Sequence, residues 1–196
     1  NLRSTGLRVL RADVRAGRAD VAWLPPIVLV RLGDLVTPIG SILREGASTY
    51  EAALVVRADS RIRNLDALRG TRAGWVDRWS AAGFVLPRVN LSLLGVDPRT
   101  LFRTETFYGS HRSAIRALLD GVCDVTGTYA RADDSGDVTR GAWSEIDGAE
   151  VRVLASFGAI PPDALAVRAG VDEGIRDRLR TALREVCEAD KPLVKE

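Results

Sequence analysis

A chain of 196 residues with 46% hydrophobic and 28% charged residues has the size and balance of one large domain or two small lobes. Its net charge of +2 exerts no strong pull on nucleic acid. No uncharged run exceeds ten residues, VAWLPPIVLV at 21–30 being one, against the ~20 that a membrane-spanning helix needs. The positive charge is almost all arginine, with lysine only at 191 and 195, and it is scattered among acids. The chain starts at Asn1, contains no methionine and shows no signal peptide, so a processed product or a piece of a longer chain is expected. Cys123 and Cys187 lie far apart and are expected as two buried free thiols.

In chain order, short apolar runs alternate with helical patterns, which predicts an α/β fold. Residues 7–17 place Leu7, Leu10 and Val14 on one helical face, with Gly17 as a stop. The arginines at 8, 11, 15 and 18 fall along one side of that helix; they read as a solvated face or, less simply, as phosphate contacts. DVAW (20–23) is a predicted strand, and Pro25-Pro26 opens a short helix through Leu32. VTPIGSIL and YEAALVVR are extended, the second alternating as strands do. Asn64 caps a helical turn that Gly70 ends. TRAGWVD is the next strand. Residues 81–94 read as helix except that Pro87 sits inside, so a tight turn over 81–86 with regular helix afterwards, or a kink, is expected. LFRTETF (101–107) is a strand. Ser110 caps a helix that Gly121 ends, and CDVTGTYA is a strand followed by the loop ADDSGD. VRVLASF and ALAVR are strands, and a last helix over 172–189 turns Ile175, Leu179, Ala182, Leu183 and Val186 to the core.

Two helix starts carry the chemistry. Helix N-termini present unpaired N–H groups and partial positive charge, which favour anions. Ser80-Ala81-Ala82-Gly83 follows a strand; its small side chains let a ligand approach the backbone, and Ser80 adds a hydroxyl. The plainer reading is an ordinary turn that needs small residues for packing. His111, the only histidine, opens the second helix and can donate to an anion if it is charged, though the helix dipole lowers its pKa slightly, or it is a locally satisfied histidine. Tyr50, Phe84, Trp75, Trp79 and Tyr129 could line a cleft or fill the core. Trp23 stands where a strand ends, a place where open α/β sheets bind ligands. One histidine and two distant cysteines give no zinc spacing, and no nucleophile elbow or phosphate-loop motif is present. No cofactor is expected.

Six segments in order resemble the phosphonate- and phosphite-type substrate-binding proteins of ABC transporters. They are AGRADVAWLPP (16–26), YEAALVVRADS (50–60), DALRG (66–70), WVDRWSAAGFVLP (75–87), GSHRSAIRALLDGVCDV (109–125) and VLASFGAIPPDALAVR (153–168). Each is weak alone, and together they cover roughly residues 7–188. The resemblance implies a two-lobe periplasmic-binding-protein type 2 fold, with mixed sheets flanked by helices. Lobe 1 would be 1–45 with 152–196, and lobe 2 would be 46–151. It also implies a ligand clamped between lobes by hinge closure. The positions matching the family's oxyanion contacts are Tyr50, Ser80 and His111; Ala81, Ala82, Gly83, Trp23 and Tyr129 complete the expected ligand set.

Two departures from the family pattern stand out. Phosphonate binders carry hydroxyl residues in the loop where this chain has Ala81 and Ala82, and the family's first strand and helix are absent or incomplete here. The leading expectation is the solute-binding component of an importer that takes a small oxyanion, such as a phosphonate or phosphite, and hands it to a transporter permease. It would be periplasmic or otherwise extracytoplasmic, not an enzyme, with no nucleic-acid partner. The alternatives are a ligand-sensing regulatory domain of the same fold and an enzyme on this scaffold.

Overall fold

The computed structural model describes residues 6–41, 43 and 47–189. The elements run α1 (Leu7–Arg15), β1 (Val21–Leu24), α2 (Pro26–Leu32), β2 (Val36–Ser41), β3 (Tyr50–Arg57), β4 (Arg72–Trp75), a π turn (Ala81–Val85) that continues into α3 (Leu86–Leu93), α4 (Pro98–Leu101), β5 (Thr104–Phe107), α5 (His111–Leu119), β6 (Val125–Ala132), β7 (Val138–Gly141), β8 (Val151–Ile160), β9 (Ala164–Arg168) and α6 (Glu173–Ala189). The chain divides into two compact units. Tyr50–Ile160 makes one, and the described residues before and after it make the other. Among the described residues no helix is long and apolar enough to cross a membrane.

The smaller sequence-discontinuous unit holds an antiparallel three-stranded sheet in the order β1-β9-β2. Ala22 and Leu24 are buried on one face of β1, while Val21 and Trp23 are 40% and 41% exposed on the other. Gly17 takes φ +68 just past α1, the left-handed conformation that the stop requires. Asp20 and Arg168 join the starts of β1 and the end of β9 by an ion pair of 2.6 Å.

The 50–160 unit is a mixed six-stranded sheet, β5-β4-β6-β3-β8, with β7 paired to β6. β4 runs parallel to both β5 and β6, and β3 runs antiparallel to β6 and β8. Residues 52–56 of β3 are all buried, so this central strand is covered on both faces rather than alternating. Ala53, Val55 and Ala130 pack with Ile115 and Leu118 of α5 and with Trp143. Behind the π turn, Trp75 is fully buried and meets Phe84 and Phe102 edge to face at 5.6 and 5.5 Å. Its indole N–H donates to Glu105 at 2.7 Å, and Glu105 is also ion-paired with Arg88. Trp75 is therefore core, with its one polar atom satisfied.

The tight turn expected over 81–86 is a π turn at Ala81–Val85, and regular helix follows it at Leu86–Leu93, as expected. Proline has no N–H to give the carbonyl of Gly83, and that carbonyl accepts from Val76 instead, at 3.2 Å, while Val85 N–H reaches back five residues to Ser80. β5 begins at Thr104 because Pro98–Leu101 forms a helical turn capped by Asp97, whose side chain accepts from Arg99 N–H. Cys123 is buried as expected, but Cys187 is exposed; both are free. Of the apolar residues of α6 expected to face the core, only Leu179 and Leu183 are half-buried. Ile175, Ala182 and Val186 are exposed, so the apolar stripe meets little more than β2. The strand expected over VTPIGSIL is described through Ser41; residue 42 lies outside the described residues, as does the side chain of Arg8.

Candidate functional site

The parallel pairing of β4 with β5 and β6 points three strand ends the same way. Just beyond β4, Tyr108 N–H donates to Trp75 C=O and Gly109 N–H to Val76 C=O, both at 2.8 Å. These two bonds hold the exits of β4 and β5 side by side. The π turn and the start of α5 thus rise from the same end of the sheet. β3 enters at that end, with Ala52 opposite Tyr129 and Glu51 opposite Ala130. Tyr50, half-buried, precedes them by register. The sheet therefore brings Tyr50, Ser80, Ala81, Ala82, Gly83, His111 and Tyr129 to one edge of the 50–160 unit. Trp23 belongs to the other unit, at the C-terminal half of β1, and is 41% exposed.

Ser80 is the N-cap of the turn: its hydroxyl oxygen accepts from Gly83 N–H at 3.0 Å. The hydroxyl proton remains available as a donor. Ala81, Ala82 and Gly83 are buried. A Cβ at Gly83 would fall 2.4 Å from a Val76 methyl and 2.7 Å from the Ser80 hydroxyl. Gly127 on β6 is constrained less severely, since a Cβ there would lie 3.0 Å from the Trp75 ring and 3.2 Å from the Gly83 carbonyl. Small residues at 83 and 127 therefore let the turn lie flat on the sheet. Packing accounts for the small side chains of this loop as well as ligand approach does.

At the second start, Ser110 accepts from Ser113 N–H at 3.0 Å and bonds the Ser113 hydroxyl at 2.8 Å. The N–H groups of His111 and Arg112, in the first turn of α5, have no intrahelical acceptor. His111 is half-buried. Its Nδ1 lies 2.9 Å from Oγ1 of Thr128, and the ring meets Tyr129 edge to face at 5.0 Å. The Tyr129 hydroxyl in turn donates to Glu145. Burial pushes the imidazole down to about 4, against a smaller upward pull from Glu145. His111 is therefore neutral at pH 7, and the charged donor considered from the sequence gives way to a neutral one. The cause is desolvation rather than the helix dipole.

Thr128 and Glu145 were missed in the sequence. Thr128 had a signal: Thr126 and Thr128 are hydroxyl residues at alternate positions of a strand buried throughout its first half. Thr126 satisfies its hydroxyl on the carbonyl of Gly74 at 2.8 Å, leaving Thr128 to the histidine. Nearby cations are committed to rings: Arg78 lies 4.7 Å over Phe107 and Arg88 5.2 Å over Phe84. Among the described residues no three His, Cys, Asp or Glu side chains group as metal ligands. What the edge offers chemically is a set of neutral hydrogen-bond donors.

The sequence matches the model of the family described as ABC transporter, phosphonate, periplasmic substrate-binding protein, over residues 4–196. No curated protein matches the sequence. Among solved structures, the chain is similar to XAC2383 from Xanthomonas citri bound to ATP, at 22% identity and TM-score 0.74, over 92% of this chain and 68% of that one. It is similar to a binding protein component of an ABC phosphonate transporter (PA3383) from Pseudomonas aeruginosa, at 19% identity and TM-score 0.70, over 91% and 60%. It is also similar to PhnD1 from Prochlorococcus marinus in complex with methylphosphonate, at 16% identity and TM-score 0.69, over 92% and 69%. At these identities the likeness to solved structures establishes the fold, that of type 2 periplasmic binding proteins.

Proposed function

Since the chain belongs to the phosphonate-type periplasmic substrate-binding protein family of ABC transporters, we propose that it captures a small oxyanion on the edge of the 50–160 unit where the two capped helix starts meet. The observation that carries this reading is the pair of backbone bonds from Tyr108 and Gly109 to Trp75 and Val76. It puts the Ser80 turn and the His111 helix start at the same end of the sheet, which supports a single ligand drawing on the donors of both. Tyr50 opens β3, and Tyr129 of β6 stands opposite Ala52, at the same end of the sheet. The ligand class is supported by the family and by the relative bound to methylphosphonate.

The chain performs no bond chemistry in this reading. It delivers its solute to a transporter permease on the extracytoplasmic side of the membrane. Ala81 and Ala82 provide only backbone donors, so affinity rests on N–H groups, the Ser80 hydroxyl and the His111 ring. Losing one donor to a charged oxygen costs about 1.5–3 kcal/mol.

The test is a thermal-shift and calorimetric panel of methylphosphonate, phosphite, phosphate and methylsulfonate against the full chain. A ligand at a hundredfold excess over Kd adds about 2.7 kcal/mol and raises Tm by about 5–10 °C in a chain of this size. Ser80→Ala and His111→Ala are expected each to weaken binding by about tenfold or more. Silence across the whole panel from folded protein overturns the oxyanion reading.

A further inference from the structure

The contact between His111 and Thr128 goes further than the burial of a histidine. Thr128 is fully buried, and its hydroxyl oxygen lies 2.9 Å from His111 Nδ1. No other partner of that hydroxyl is found among the described residues. A hydroxyl carries one proton and can also accept. If Nδ1 carried a proton and donated to the threonine, the hydroxyl proton would be left without an acceptor in a place water does not reach, which is costly. If the threonine donates and Nδ1 accepts, every polar atom of the contact is satisfied. The ring's single proton then resides on Nε2. A doubly protonated ring is opposed for the same reason, because it would again turn Nδ1 into a donor.

We infer that Thr128 is a positioning residue that holds His111 as the neutral Nε2–H tautomer, leaving Nε2–H as the ring's donor to a bound anion. This rests on the oxyanion reading for its ligand, but the tautomer itself does not depend on it. The groups facing the ring are Thr128 and Tyr129 of β6 and the carboxylate of Glu145, which receives the Tyr129 hydroxyl. Burial acts in the same direction as Thr128, and Glu145 against it. The consequence for recognition is specific. A ring that brings a hydrogen bond but no charge keeps its contribution to binding through the neutral pH range, where a histidine of ordinary pKa would lose its charge.

The chain contains a single histidine, so an imidazole nitrogen spectrum of the 15N-labelled full chain reports one ring. The wild-type spectrum is expected to show Nε2 protonated and Nδ1 as an acceptor, unchanged from about pH 5.5 to 8. Thr128→Val, which keeps the shape and removes the hydroxyl, is expected to shift proton density toward Nδ1 and to weaken methylphosphonate binding about tenfold. Thr128→Ser is expected to restore both the spectrum and the affinity. A proton on Nδ1, or on both nitrogens at pH 7, overturns the inference whatever binds. The expected spectrum together with no response to methylphosphonate, phosphite or phosphate supports the tautomer and overturns the oxyanion reading. The wild-type spectrum decides even if Thr128→Val does not fold.

Discussion

At the scale of single residues, His111 couples the candidate site to stability. Its ordinary pKa is near 6.5, and burial depresses the folded value to about 4. Below 6.5 the unfolded chain therefore binds a proton that the folded chain refuses. The stabilisation is fully present above about pH 6.5 and is lost as pH falls toward about 4. His111→Gln removes the titration while keeping a side chain that can bond Thr128. Urea unfolding at pH 7 and pH 4.5 is expected to show wild type losing about 2 kcal/mol more than the variant between the two pH values. Equal losses would mean the ring is solvated in the native state. Carboxylates such as Asp124, held below the usual range by its hydrogen bonds to Arg72, titrate in both proteins and cancel in the comparison.

Among the elements, the π turn shows where sequence reasoning stops. Caps were legible because they are local: Asn64 does accept from Ala67 N–H, Ser110 does cap α5, and Gly17, Gly70 and Gly121 do take positive φ at their stops. A tight turn at 81–86 was legible from Pro87, but its π form was not, because it depends on Val76 donating to the Gly83 carbonyl, a bond that exists only once β4 is in the sheet. Thr128 escaped for a similar reason. It lies 17 residues from His111, and only the approach of α5 to β6 brings them together. The two helix starts, by contrast, could be picked out from Ser80 and His111 alone. A substitution follows from the turn's geometry. Gly83→Ala puts a Cβ against the β-carbon and a methyl of Val76 and against the Ser80 hydroxyl, so the turn must lift from the sheet. Denaturant titration is expected to show a loss of about 2–3 kcal/mol. Adding Val76→Ala should recover part of it, because the first clash is with that side chain. A double mutant no better than Gly83→Ala would place the strain elsewhere.

Across the whole molecule, the two units differ in how fully their apolar residues are used. In the 50–160 unit the central strand is buried on both faces by α5 on one side and the π turn with α3 on the other, which is what fixes the strand ends that carry the candidate site. In the other unit, three short strands take one face of α6 only in part. The periodicity of α6 was read correctly as helical, but a period says which residues share a face, not whether anything covers it. Ile175 is 41% exposed and Val186 57% exposed, whereas Leu183 lies against Gly40 of β2. This orders the cost of substitutions along one helix. Val186→Ser is expected to change stability by no more than about 0.5 kcal/mol, and Leu183→Ala to cost about 1–2 kcal/mol, since only the latter removes methyls from a packed contact. Both are read from urea midpoints with the slope checked for constancy. A Val186→Ser loss as large as that of Leu183→Ala would show that the outer stripe of α6 is buried in solution.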